Sequence, residues 1–232
     1  MKKIQNNCDG LDCFLCKNSL KEWLPAINAH KSTYKIKKGE KVFNEGDPVT
    51  GIYFVNSGKV KVYKRWDEDK ELIVRFAKEG SLFGHRGLGK GGIYPISAAA
   101  LEATVVCYVD LAFFEAALKV NSDLTYQLLM FMTEELKQSE RKMRNLAHMS
   151  VKGRVCEALI SLQNQFGVTE EGFINIELSR QDLASYSGAT YETVFRMMNE
   201  LVNEKLISLS GKSIWLVNRE ELLKLAQDIV FL

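Results

Sequence analysis

From Leu111 to Met149 the sequence contains neither glycine nor proline, and this long unbroken stretch narrows the possible folds more than any other feature. Along it Leu124, Leu128, Phe131, Leu136, Met143 and Leu146 recur at helical or heptad-like spacing. A helix of about 25 residues is about 38 Å long, more than a small domain needs to cover itself. Its apolar stripe must face something. Either it meets a twin copy of the chain, which sustained heptad-like spacing favours, or it packs along the flank of its own domain.

The text on either side of this stretch obeys different rules. From Tyr34 to Asp110 short apolar or alternating runs recur at Ile52–Val55, Val60–Tyr63, Leu72–Phe76, Ser97–Ala100 and Thr104–Val109. Gly39, Gly46, Gly58 and Gly80 punctuate them, and Glu45-Gly46-Asp47 and Asn56-Ser57-Gly58 read as turns. Short strands with such spacing predict an antiparallel jelly roll of two sheets. After the long stretch, Ser150 can cap a helix running to about Phe166, where Gly167 is a stop signal. The expected division is a cysteine-containing segment over 1–30, a jelly-roll sensor over 31–115, a dimerisation helix over 116–148 and a DNA-binding domain over 149–232. The fold class is α+β.

The C-terminal third carries the most specific local pattern. Ser179 can cap a helix opening Arg180-Gln181-Asp182, with Asp182 placed to reach back as in a capping box. Gly188 suits a tight turn, and Thr190 can cap a second helix from Tyr191 to Glu204. Leu206–Leu209 and Ser213–Val217 then flank Ser210-Gly211-Lys212 as a hairpin. Helix, short turn, helix and hairpin make a winged helix-turn-helix. A recognition helix enters the major groove N-terminal end first, so Tyr191, Glu192 and Arg196 are the candidate base readers. Arg can bond guanine at O6 and N7, and Glu can accept from a cytosine amino group. Arg180, Gln181, Thr190 and Lys212 are the candidate partners of the DNA backbone. An ordinary surface ion pair between Glu192 and Arg196 is the competing reading.

Charge does not decide the matter. Lys+Arg is 31 against Asp+Glu 29, a net +2, so any basic surface must be local. Arg141, Lys142, Arg144, Lys152 and Arg154 cluster near the end of the long helix, either as a solvated face or as a phosphate-facing one. The opening MKKIQNN has lysines but no apolar run behind them, so no signal peptide is expected, and no stretch approaches the roughly 18 apolar residues of a membrane span. The expectations are cytoplasmic residence and no membrane partner. No nucleophile–base pair, phosphate-cradling glycine loop or paired carboxylates suggest an enzyme.

Five cysteines in a chain without an export signal point to thiols or metal ligands rather than disulfides. Cys8, Cys13 and Cys16 form C-x4-C-x2-C, with Cys107 far downstream. Four thiolates suit a [4Fe–4S] cluster or, less well, zinc. Loose thiols and a buried core Cys107 are the plain alternatives. Cys156 reads as core.

Three segments together resemble the Crp/Fnr regulators: KKGEKVFNEGDPVTGIYFVNSGKVKVY, NLAHMSVKGRV and LSRQDLASYSGATYETVFRMMNELVNEKLISLSGK. The resemblance implies a homodimer on palindromic double-stranded DNA, acting with or against RNA polymerase, with Glu192 and Arg196 as base readers. Members that bind cyclic AMP use a glycine–glutamate pair and an arginine–serine pair. The matching positions here are Gly84, His85 and Arg86, then Pro95, Ile96 and Ser97. With His85 in place of the glutamate, and Pro95 and Ile96 in place of the arginine and serine, cyclic AMP is disfavoured. These six residues remain the candidate effector pocket. The context ALEATVVC around Cys107 resembles the oxygen-sensing members, whose N-terminal cysteines are spaced differently. A different reading of the C-terminal domain, in which the winged helix docks a protein rather than DNA, stays open at this point.

Overall fold

The structure, a computed structural model, describes residues 1–5, 12–67 and 70–226. The chain divides into two compact units, Met1–Lys137 and Gln138–Leu232, and the division falls within the long helix. In the first unit the strands are β1 (Lys2–Ile4), β2 (Ser32–Ile36), β3 (Lys41–Phe43), β4 (Gly51–Ser57), β5 (Val60–Arg65), β6 (Glu71–Ala77), β7 (Leu82–Phe83), β8 (Ser97–Ala100) and β9 (Thr104–Asp110). They build two sheets, ordered β1-β2-β9-β4-β7 and β3-β8-β5-β6, with every pairing antiparallel. This is the expected jelly-roll architecture. Short helices α1 (Phe14–Asn18) and α2 (Leu24–His30) precede it, and α3 (Leu111–Val120) follows.

The two sheets enclose a core that includes Tyr53, Val55, Val62, Phe83, Ile96 and Val106. A second cluster lies on the opposite side of β4 and β9, where Ile52, Phe54, Cys107 and Val109 meet Leu15, Ile27, Phe114 and Leu124 from the helices. Successive strand side chains point to opposite faces, so β4 is covered on both. That explains why Gly51–Val55 is a continuous buried run rather than an alternating one.

The long helix does not begin at 116. Asn121, fully buried, interrupts it: its amide donates to the Ala117 carbonyl at 2.8 Å and its carbonyl accepts the Leu20 amide at 2.8 Å. The helix proper, α4, is Ser122–His148. Its apolar residues also divide between two faces. Leu124 and Leu128 are buried against the chain's own sandwich, whereas Leu129, Leu136 and Met143 are about 60% exposed. The last three recur every seven residues, the period of a helix-helix seam. The apolar stripe thus divides between a buried side and an exposed side of one helix.

The second unit contains α5 (Val151–Phe166), α6 (Arg180–Ser187), α7 (Tyr191–Asn203), the hairpin β10 (Ile207–Ser210) and β11 (Ser213–Leu216), and α8 (Arg219–Ala226). Ser150 caps α5 by accepting the Gly153 amide at 3.0 Å, and Gly167 ends it at φ 73°. Helix α5 is the centre of the unit and packs against α6, α7 and α8.

Gly51 opens β4 where that strand crosses the end of β9, and a Cβ there would stand 2.2 Å from the Val109 carbonyl oxygen and 2.5 Å from the Tyr108 ring. One of these atoms is backbone within a paired strand, so it cannot simply step aside. Gly51→Ala is expected to destabilise the sandwich by about 1–3 kcal/mol or more. A urea-unfolding midpoint equal to that of the parent protein would contradict this packing.

Candidate nucleic-acid interface

Local capping chemistry sets the helix pair. Ser179 accepts the Asp182 amide at 3.0 Å, and its hydroxyl meets the Asp182 carboxylate at 2.5 Å. Gly188 adopts the left-handed conformation that closes α6, and Thr190 accepts the Thr193 amide at 3.3 Å to open α7. Helix α7 buries Val194, Met197, Met198 and Leu201, which recur at helical spacing. That choice of inner face leaves Tyr191, Glu192, Phe195, Arg196 and Asn199 exposed. Beyond Asn203, where α7 ends, the amides of Leu206 and Lys205 return to the Leu201 and Val202 carbonyls at 2.9 Å.

Glu192 and Arg196 stand one helical turn apart and both are exposed. Among the described residues neither side chain has a hydrogen-bond or ion-pair partner, so the surface ion pair that competed with base reading does not form. Thr190 and Gln181 are exposed at the same end of the two helices, and Lys212 is exposed at the tip of the β10–β11 hairpin. Arg180 differs: its guanidinium lies 3.5 Å from the Gly211 carbonyl, at the limit of a hydrogen bond, and so leans on the wing. Phe195 was not singled out from the sequence. Its exposure (49%) beside Tyr191 (44%) depends on how α7 rolls against α5, which local pattern did not suggest.

The basic cluster near the end of α4 is occupied by contacts within the second unit rather than standing as an open cationic face. Arg141 pairs with Glu157 at 3.6 Å, Lys152 with Glu204 at 2.6 Å, and Lys142 sits 3.9 Å from the centre of the Tyr186 ring. Arg144 bonds the Asn145 side chain at 3.0 Å. Arg154 donates to the carbonyls of Leu146, Met149, Ser187 and Gly188 at 3.1–3.2 Å. It therefore ties the end of α4 to the turn of the helix pair.

The six candidate effector residues have different immediate partners. Gly84 is left-handed at φ 87° and begins a short turn of helix at His85–Gly87. Arg86 is drawn to Glu135 of α4 at 3.0 Å, which Arg75 also approaches at 3.6 Å. Ile96 lies in the inter-sheet core, the Ser97 hydroxyl accepts the Glu45 amide at 2.9 Å, and the Pro95 carbonyl accepts from Lys64 at 3.0 Å. Pro95, Ile96 and Ser97 thus serve the sandwich. His85 and Arg86 instead belong to a buried group with Arg75, Glu135 and Phe131, whose ring lies 5.0 Å edge-on from His85 and under the Arg75 guanidinium at 5.2 Å.

The cysteines fall on the other side of the sheet. Strand parity turns Cys107 away from the inter-sheet core, toward α1, and Cys13 stands at the N-cap position of that helix. Cys13 and Cys107 line one small pocket with Asp12, Glu79 and Gly80, and Cys16 packs against the same apolar cluster. Among the described residues no group of three or more His, Cys, Asp or Glu is set to hold a metal ion. Cys8 lies outside the described residues. Cys156 is buried in α5, and burial pushes its thiol up to about 12, in keeping with a core role.

Comparison with known proteins brings both units together. Residues 34–121 match the cyclic nucleotide-binding domain and residues 153–225 the Crp-like helix-turn-helix domain. The chain is 31% identical to the anaerobic regulatory protein of Bacillus subtilis over 208 residues, covering 88% of this chain and 86% of that one. It is 30% identical to the transcriptional activator protein Anr of Pseudomonas aeruginosa, covering 82% and 79%. Among solved structures FixK2 from Bradyrhizobium japonicum superposes with a TM-score of 0.75 at 27% identity, covering 84% of this chain and 96% of that one.

His85 supplies a test of the first unit. Burial, reinforced by Arg75 and Arg86, pushes its pKa down from the ordinary 6.5 to about 3, so the imidazole is neutral in the fold. The unfolded chain takes up that proton first as pH falls below 6.5. Stability from this group is therefore full above about pH 6.5 and is lost toward pH 3, at no more than about 1.4 kcal/mol per pH unit. His85→Gln is expected to flatten the acid limb of a stability–pH curve measured by urea unfolding. Parallel limbs for variant and parent would contradict a buried neutral imidazole.

Proposed function

The chain belongs to the Crp/Fnr family of transcription regulators, and from that premise we propose that it binds palindromic DNA as a homodimer, with Glu192 and Arg196 reading bases in the major groove. One observation carries this assignment: both side chains are exposed on the N-terminal half of α7 and have no partner among the described residues. An arginine and a glutamate held ready one turn apart can address a guanine and a cytosine amino group. Gln181, Thr190 and Lys212, with Arg180 beside the wing, have the chemistry to hold the phosphates on either side. The seven-residue repeat of exposed Leu129, Leu136 and Met143 supports pairing of α4 with a second copy. Cytoplasmic residence follows from a DNA target. One relative is named a transcriptional activator, which favours recruitment of RNA polymerase over its exclusion.

A [4Fe–4S] cluster at Cys8, Cys13, Cys16 and Cys107 is the proposed input. The described residues suit it in kind, and what supports the reading is that Cys13 and Cys107 line one pocket while Cys16 packs against the adjoining apolar cluster. Two relatives, one named as an anaerobic regulator, add support. When bound, such a cluster supplies oxygen-sensitive chemistry whose potential depends on its thiolates and their surroundings. The chain's own part is to hold the thiols of Cys13 and Cys16, at and within α1, and of Cys107 on β9, where a change would act on the sheet face that also receives Leu124 and Leu128 of α4. Zinc would occupy the same thiolates without redox response, and cyclic AMP finds neither arginine nor serine at Pro95 and Ile96.

Two experiments test these readings. Glu192→Ala or Arg196→Ala is expected to weaken binding to a selected palindromic site by about 1–3 kcal/mol while sparing binding to scrambled DNA. Titration by fluorescence anisotropy at several salt concentrations measures both, and an unchanged ratio of the two affinities would reject the base-reading assignment. Anaerobic purification of the full chain should yield coloured, iron-containing protein, and Cys107→Ser should lose most of the iron. Colourless, iron-free parent protein that binds DNA equally in air and without it would discard the cluster.

A further inference from the structure

The base-reading assignment leaves part of α7 unused. Tyr191 and Phe195, one turn apart, are 44% and 49% exposed, and their rings stack with centroids 6.3 Å apart and planes 14° from parallel. Neither belongs to the buried face formed by Val194, Met197, Met198 and Leu201. Among the described residues the two rings have aromatic contact with each other alone. They form an apolar strip one residue step around the helix from Glu192 and Arg196, about 100° away. Such a strip contributes little to the fold, since its outer surface stays in water.

The floor of the major groove is lined by hydrogen-bonding atoms, with one exception: the C5-methyl group of thymine. An apolar strip carried into that groove alongside a glutamate and an arginine can find matching chemistry only there. We propose that Tyr191 and Phe195 together form a shelf that reads thymine methyl groups, one or two in each half-site, beside the bases bonded by Glu192 and Arg196. This rests on the DNA-reading assignment and extends it from polar to apolar readout. The stacking matters because each ring restrains the other, so the shelf meets the methyl already ordered and loses less side-chain freedom on binding.

Exchange of single deoxythymidines for deoxyuridine removes the methyl and nothing else. The full chain is first used to select its site from a random duplex pool, and each thymine of that site is then replaced in turn. The parent protein should bind about threefold to tenfold more weakly when one or two particular methyls per half-site are absent. Phe195→Ala and Tyr191→Ala should bind the thymine and uracil forms equally at those positions, yet keep their preference at the bases read by Glu192 and Arg196. Phe195→Leu, which retains an apolar side chain, should keep most of the methyl discrimination. Parent protein indifferent to every methyl, or alanine variants that keep the full thymine-to-uracil ratio, would overturn the shelf while leaving DNA reading intact. A pool that yields no preferred sequence would overturn the DNA reading, and the shelf with it.

Discussion

The second unit is organised around a single cation. The Arg154 guanidinium, at the first turn of α5, donates to four backbone carbonyls: Leu146 and Met149 where α4 ends, Ser187 and Gly188 where α6 turns toward α7. Carbonyls at helix ends lack partners within their own helix, and an arginine fork supplies several donors in a fixed plane. One side chain thereby sets the end of the long helix relative to the turn from which the recognition helix departs. Lysine could not repeat this geometry, because its three donors sit on one atom. The exposure of Glu192, Arg196, Tyr191 and Phe195 depends on this turn being held, since it decides which face of α7 meets α5.

The first unit depends on a sheet covered twice. Because β4 and β9 are packed on both faces, each alternate side chain belongs to a different environment: Val106 to the inter-sheet core, Cys107 to the layer shared with α1, α3 and the start of α4. Cys107 therefore shares the layer that holds Leu124 and Leu128, and not the interior of the sandwich. On the same face of α4, further along the helix, Glu135 engages Arg75 and Arg86. Helix α4 is thus held to the sandwich along one face by both apolar contacts and ion pairs, while Leu129 and Leu136 stay exposed beside that face.

Much of the helix-turn-helix was legible because its signals are local. Ser150, Ser179 and Thr190 cap where they were expected to, and Gly167 and Gly188 end helices, because caps depend on a few neighbouring atoms. The strand runs were legible for the same reason. Less legible were features set by distant partners. The basic cluster reads as one patch along the chain, yet Glu157, Tyr186, Glu204 and backbone carbonyls absorb it. The residues aligned as an effector pocket have contacts that no local pattern shows, since Arg86 finds Glu135 some fifty residues away while Ile96 turns into the core. Asn121 breaks the long helix without glycine or proline, through its bond with Leu20.

By itself the sequence determined the order and type of the elements and the capped helix pair with its wing. These follow from periodicity and capping, which act within a few residues. The tertiary structure alone decided which faces stay exposed and which side chains meet: that Cys13 and Cys107 share a pocket, that the stripe of α4 divides into a buried side and an open one, and that Phe195 joins Tyr191 beside the base readers. Those outcomes turn on strand parity and on the roll of one helix against another, and a change of one residue in register or a fraction of a helical turn would reassign them.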